Sequence, residues 1–331
     1  MPENPRPTLL GIAVDTVDPN GAPRTAEDLR TLVLGAAAAG VHLVTLGDRS
    51  ALDGGPVRPD RAGLEPASVL AWLAPQVPRL GLLAVRSATR AEPYHLSRAI
   101  ATVDYVSGGR AGWHCVAELD DTGAVVSSHP APAPQERAEH AVEVVEVVRG
   151  LWDTWEDDAC VREVATGRYV DPARIHRLDH RGTHLAIRGP SATPRPPQGH
   201  PVVAVTLDGG PVAAALGPLA DLGFVVADTP FEAAARAAAF RAAADGRPLR
   251  ALLVTDRVGP VPADGIDGLL LTGVDTAEGL AALRSESRPV AGPTATTATT
   301  TLRQTLGLPR PVNRFRAATG TPTEAAHART A

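Results

Sequence analysis

Apolar residues in this chain gather in short β-branched runs, and alanine-rich stretches lie between them. Eight runs are strand candidates: Leu9–Asp15, His42–Asp48, Leu80–Ser87, Arg110–Val116, Pro201–Thr206, Gly223–Asp228, Arg250–Asp256 and Ile266–Thr272. Several are apolar on consecutive positions, as strands covered on both faces tend to be. Helices are predicted over Thr25–Ala39, Glu65–Gln76, Pro93–Tyr105, Glu136–Trp155, Pro211–Leu222 and Phe231–Ala244. Thr25 with Asp28 three residues on has the form of a capping-box variant opening the first helix. Strand–helix alternation predicts βα units around a parallel sheet, and eight right-handed units close a barrel more naturally than they form an open sheet.

One interval departs from that rhythm. Glu156–Gln198 carries Asp171-Pro172, Gly182, Gly189-Pro190 and the run from Pro194 to Pro197, which predicts loops and a hairpin outside the barrel, between strands four and five. Residues 1–316 are expected to form a single barrel domain. The small, polar stretch from Ala317 onward is expected to be a disordered tail.

Composition narrows the function. The 331 residues, 44% hydrophobic and 21% charged, suffice for one α/β barrel with insertions. A net charge of −5 without a basic stripe gives no case for nucleic acid. No apolar run is long enough for a bilayer, and Met1–Thr8 lacks a signal-peptide core, so a cytoplasmic protein is expected. The two cysteines, Cys115 and Cys160, fit a reducing compartment. The sequence contains no lysine, which excludes Schiff-base catalysis, pyridoxal-phosphate anchoring and a P-loop.

Some polar clusters have bland explanations. His176, His180 and His184 would form a metal-binding face on a helix, but Asp171-Pro172 and Gly182 argue against a helix, and no metal is expected. The runs Glu118-Asp120-Asp121 and Glu156-Asp157-Asp158 read as solvated loop charges. Cys115 reads as a buried apolar neighbour.

Three segments say more. The first joins Glu92-Pro93-Tyr94-His95-Leu96 to the run from Asp104 to Trp113. The second runs from Val145 through Arg149-Gly150-Leu151-Trp152 to Asp158. The third runs from Leu178-Asp179-His180-Arg181-Gly182 through Arg188-Gly189-Pro190 to Gly199, and residues 301–314 add a C-terminal echo. In order and spacing they resemble the nitrilotriacetate, pristinamycin IIA and dibenzothiophene-sulfone monooxygenase family of the bacterial-luciferase superfamily.

That resemblance implies a barrel that takes reduced FMN from a separate flavin reductase and uses it with dioxygen to oxygenate a small organic substrate. The cofactor supplies the chemistry and the protein positions it. A homo- or hetero-dimer is compatible with it. Carried over by position, Asp48 matches an aspartate beside the flavin ring, and Ser87 and Thr89 fall at a Ser/Thr cluster. His114, the candidate catalytic residue, stands where asparagine is usual. It reads equally as a flavin-edge partner or as a satisfied histidine of the barrel core.

Other positions depart from the pattern. The histidine and tyrosine that open the helix after strand four fall at Pro134 and Ala138. The phosphate loop after strand five aligns with Val205–Gly210, where Gly209 and Gly210 offer backbone N–H groups while Asp208 adds a like charge. The short Val258–Gly265 connection replaces a long insertion between strands seven and eight. Two function classes follow: an FMN-dependent monooxygenase, and a non-catalytic barrel that lost flavin chemistry and serves as a binding or partner subunit.

Overall fold

The computed structural model describes residues 9–47, 52, 63–117, 133–259, 261, 264–286 and 300–318. The barrel strands are β1 (Leu9–Val14), β2 (Leu43–Leu46), β3 (Gly81–Ser87), β4 (Ala111–Val116), β7 (Val202–Leu207), β8 (Leu222–Val225), β9 (Arg250–Thr255) and β10 (Gly268–Leu271). They close in the order β1-β2-β3-β4-β7-β8-β9-β10 with every pair parallel. The remaining strands, β5 (His180–Arg181) and β6 (Ala186–Ile187), form a separate antiparallel hairpin. The interval between strands four and five therefore adds nothing to the barrel wall.

The helices are α1 (Ala26–Ala38), α2 (Pro66–Leu73), α3 (Pro93–Ser107), α4 (Pro134–Asp153), α5 (Pro211–Leu216), α6 (Pro230–Ala243), α7 (Ala277–Glu286), α8 (Leu302–Thr305) and α9 (Arg314–Ala318). Thr25 and Asp28 do form a reciprocal capping box on α1. Proline opens α2, α3, α5 and α6, where its missing N–H costs nothing.

Three boundaries differ from the sequence expectation. The helix predicted over Pro211–Leu222 stops at Leu216, followed by one 3-10 turn over Gly217–Leu219. Pro218 supplies no N–H and cannot continue the α-helical ladder. The chain is then pinned, since Val203 N–H donates to the Asp221 carboxylate at 3.0 Å. Helix α7 was not anticipated, yet it buries Leu280 and Leu283. Helix α9 reaches into the expected tail, and residues beyond 318 lie outside the described set.

Large and small inward residues alternate around the barrel. Gly11 pairs with Leu43, Leu43 with Gly81, and Leu83 with Gly112. A Cβ on Gly112 would stand 2.7 Å from Leu83 Cγ and 3.0 Å from the Val202 carbonyl. The glycines are thus the space the leucines fill, as close packing demands. Leu302, Leu306 and Leu308 join this interior cluster from the α8 region.

Arg303 ties that region down. Its Nε donates to the His200 carbonyl at 2.6 Å and its Nη2 to Asp221 at 2.8 Å. Arg149 and Arg247 also reach Asp221, each at 3.1 Å. Burial pushes the Asp221 carboxyl up, but the guanidiniums outweigh it and hold it below the usual range.

Gly112→Ala should destabilise the fold by about 1–3 kcal/mol, the usual cost of overpacking. Chemical denaturation checks this, and an unchanged midpoint would mean that Leu83 moves aside freely.

Candidate active site

Strands project alternate side chains inward, so β4 sends His114 into the barrel while Trp113 and Cys115 face the helices. His114 is fully buried. Its Nδ1 lies 3.2 Å from Thr45 Oγ1 on β2, and its Nε2 lies 3.1 Å from Thr206 Oγ1 on β7. The Phe224 ring meets it edge to face, with centroids 4.9 Å apart and planes at 81°. Burial pushes the imidazole down to about 3, so it is neutral at physiological pH. A neutral imidazole has one donor and one acceptor nitrogen, and both are engaged here.

Above this layer lie the C-terminal strand ends, where barrel enzymes build their sites. Ser87 ends β3 with the inward parity of Leu83. Its Oγ contacts Thr89 Oγ1 at 3.1 Å and accepts from the N–H groups of Thr89 and Arg90. Ser87 and Thr89 thus form one hydroxyl-bearing turn. The loops after β1 and β10 are clasped by Arg24, which pairs with buried Asp275 at 3.0 Å and donates to the Val17 carbonyl. Gly47 ends β2 with φ +151°, and a Cβ there would stand 2.4 Å from Val85 Cβ. Leu52 packs onto the interior cluster from the connection that follows. Asp48 lies outside the described residues.

The opposite side of the mouth is built by β7, α5 and α6. Gly209 has φ +87°, a conformation that favours glycine. A Cβ there would stand 3.3 Å from Arg236 Nε and 3.4 Å from its Nη2. The guanidinium donates to the Val226 carbonyl and to Glu232 Oε1. Gly210 N–H donates to Asp208 Oδ1 at 2.8 Å, so the loop's own carboxylate takes a donor that the sequence offered to a phosphate. A cavity of about 240 Å³ runs from this loop between α5 and α6 on the outer side of the barrel wall, with Gly209, Gly210, Gly217, Arg236 and Phe240 among its walls.

The structure therefore brings Ser87 with Thr89, and Gly209 with Gly210, to the strand-end face of the barrel, and sets His114 beneath it. Sequence reading missed Thr45, Thr206 and Arg236. The threonines were accessible by strand parity, since Thr206 shares the inward phase of Val202 and Ala204. Arg236 carried no such signal. The histidines of the excursion face carboxylates: His176 Nε2 lies 2.8 Å from Glu156 and His180 Nε2 2.7 Å from Glu143. Among the described residues, no group of three or more His, Cys, Asp or Glu side chains could hold a metal ion, and no helix is long and apolar enough to cross a membrane.

A closed parallel barrel with its polar groups at the strand ends defines a TIM-barrel enzyme architecture. The model of the luciferase-like monooxygenases matches residues 10–267, and the chain belongs to that family of flavin-dependent oxidoreductases, as its motifs suggested. It is similar to the B component of pristinamycin IIA synthase from Streptomyces pristinaespiralis, with 36% identity over 310 residues, 92% of this chain and 96% of that protein. A dibenzothiophene-sulfone monooxygenase of Rhodococcus erythropolis is 44% identical over 143 residues, 42% of this chain but 31% of the relative. Among solved structures, a riboflavin lyase with modified FMN and riboflavin superposes at TM-score 0.66 with 28% identity, covering 75% of this chain and 62% of the other. The EDTA monooxygenase of Chelativorans sp. BNC1, at TM-score 0.72, 19% identity and coverage of 92% and 99%, shares the fold.

The low pKa of His114 has a stability consequence. Below about 6.5 the unfolded chain takes up a proton that the folded chain refuses until about 3. Stability supplied by neutral His114 is therefore complete above that range and lost as pH falls through it. The stability of wild type relative to His114→Asn should be flat above pH 6.5 and fall steadily below it, as read by urea denaturation at several pH values. A constant difference down to pH 4 would show that the imidazole titrates normally.

Proposed function

We propose that this chain is the oxygenating component of an FMN-dependent two-component monooxygenase, which takes reduced FMN from a separate flavin reductase and acts on a small organic substrate. The observation that carries this reading is the cradle at Gly209: a position without a side chain, at positive φ, facing the Arg236 guanidinium. The bare backbone of Gly209 lies close to that guanidinium, a group well matched to phosphate that here is also paired with Glu232. The cavity of about 240 Å³ falls short of the ~300–1,000 Å³ of a whole ligand pocket. It suits one end of a cofactor whose ring lies over the barrel mouth.

The residues present fit FMN. Gly209, Gly210 and Arg236 would hold the phosphate, while Ser87, Thr89 and Thr206 offer hydroxyls to the ring and ribityl chain. Asp48, the residue after Gly47 in sequence, is assigned to the ring on the family pattern. When bound, reduced FMN supplies the electrons that activate dioxygen. Leu52 and the loops clasped by Arg24 would help to exclude water from the bound ring. His114, buried with both nitrogens engaged, positions Thr206 rather than meeting the cofactor itself.

One observation favours a second reading. The Asp208 carboxylate occupies the Gly210 N–H and sets a negative charge beside the phosphate position, as in a barrel that has given up flavin. The similar pristinamycin protein is named as one component of a synthase that has a second named component. In that reading this chain is a non-catalytic partner of another chain.

Anaerobic calorimetric titration with reduced FMN separates the two. Binding is expected, and Asp208→Ser should tighten it by about tenfold by removing like-charge repulsion and freeing a donor. Arg236→Gln should weaken reduced FMN by about tenfold while leaving reduced riboflavin, which lacks the phosphate, nearly unchanged. If neither wild type nor Asp208→Ser binds, the non-catalytic reading stands. If both bind equally, the phosphate lies elsewhere.

A further inference from the structure

Asp221 stands just before β8, at the end of the barrel opposite the mouth, and three guanidiniums converge on it. Arg149 from α4 reaches its Oδ2 at 3.1 Å, Arg247 from the α6–β9 connection its Oδ1 at 3.1 Å, and Arg303 from α8 its Oδ2 at 2.8 Å. Arginine keeps its proton in proteins, so three positive charges face one negative charge. The Arg303 and Asp221 side chains are only 5% and 6% exposed. Asp104 is within electrostatic reach of Arg303, but its carboxylate is bonded to Gln198 and the Ala111 N–H. Burial pushes Arg247 and Arg303 down from the usual arginine range; Asp221 opposes this and Arg149 adds to it.

Hydrogen-bond accounting separates the three arginines. Arg303 places Nε on the His200 carbonyl, Nη1 on the Pro309 carbonyl and Nη2 on Asp221. Arg247 places Nη1 on Asp221 and Nη2 on the carbonyls of Pro218 and Ala220. Arg149 donates through Nη2 alone, and its Nε is buried without a partner among the described residues. A buried donor left unpaired is costly and marks the place of a bound water or ion. Water would satisfy that N–H and leave the excess of positive charge; an anion answers both.

We propose that this cluster is a binding site for a small free oxyanion of the phosphate or sulfate type, held at the Arg149 guanidinium with Arg247 beside it. Guanidinium geometry matches such oxygens. The ion would tie α4, the α6–β9 connection and α8 together at the closed end of the barrel. The site is separate from the strand-end face and does not rest on the function proposed above.

The test is calorimetric titration of inorganic phosphate into flavin-free protein in chloride buffer at neutral pH. Wild type should bind phosphate saturably. Arg149→Lys keeps a charge beside Asp221 but has no Nε, and should bind it about tenfold more weakly. Arg247→Gln, altered on the exposed rim, should also weaken binding and serves if circular dichroism shows Arg149→Lys unfolded. Arg236→Gln, altered in the loop region after β7, should retain this binding. Phenyl phosphate should bind about tenfold more weakly than phosphate, because the donor is buried; equal binding would overturn the assignment of a free ion. No binding by wild type, equal affinity in the Arg149 and Arg247 variants, or loss in Arg236→Gln alone overturns the site.

Discussion

A closed barrel has no edge and no water inside, so a polar side chain turned inward must find its partners among other inward residues. His114 is that side chain here, and the upper interior is organised around it. Thr45 and Thr206, from strands on either side, supply the two partners, and Phe224 fixes the plane of the ring. Below it the demand is purely steric. Gly11, Gly81 and Gly112 leave room for leucines from neighbouring strands, and the α8 region adds three more apolar side chains. Packing at one end and hydrogen bonding at the other place the strand ends with the precision a binding site needs.

The rest of the chain secures the opposite, N-terminal end of the barrel from outside. Asp221 gathers three guanidiniums, and Arg303 among them carries the C-terminal segment onto the barrel. The excursion is bound through Arg195, whose guanidinium meets Asp153 and Asp157 at 3.1 Å. Such buried pairs add little net stability compared with apolar packing, but losing one partner strands the others. Their role here is registry: they join segments far apart in sequence to one end of the barrel.

Much of this was legible in the sequence, and what was not has definite causes. Strand positions were readable because parallel strands covered on both faces are continuous apolar runs, and the excursion because its prolines and glycines break that rhythm. Helix α5 was misjudged at Pro218, where composition still favoured helix. Among the candidate site residues, Ser87 and Thr89 could be located by their place at a strand end. Thr206 could be placed inward by strand parity, but a threonine in a strand is ordinary, and its meaning comes from His114 on a different strand. Arg236 meets Gly209 only through the packing of α6 against β8 and the turn after α5, a relation between elements with no linear signature. The Asp208 contact with Gly210 is local and was foreseeable as a charge, though not as an occupied donor.

The central claim is that reduced FMN binds across the strand ends with its phosphate at Gly209 and Arg236. A crystal structure of the protein grown anaerobically with reduced FMN tests it most directly. The phosphate is expected within hydrogen-bond distance of the Arg236 guanidinium, with the ring over the strand ends. A phosphate held at another loop would contradict it.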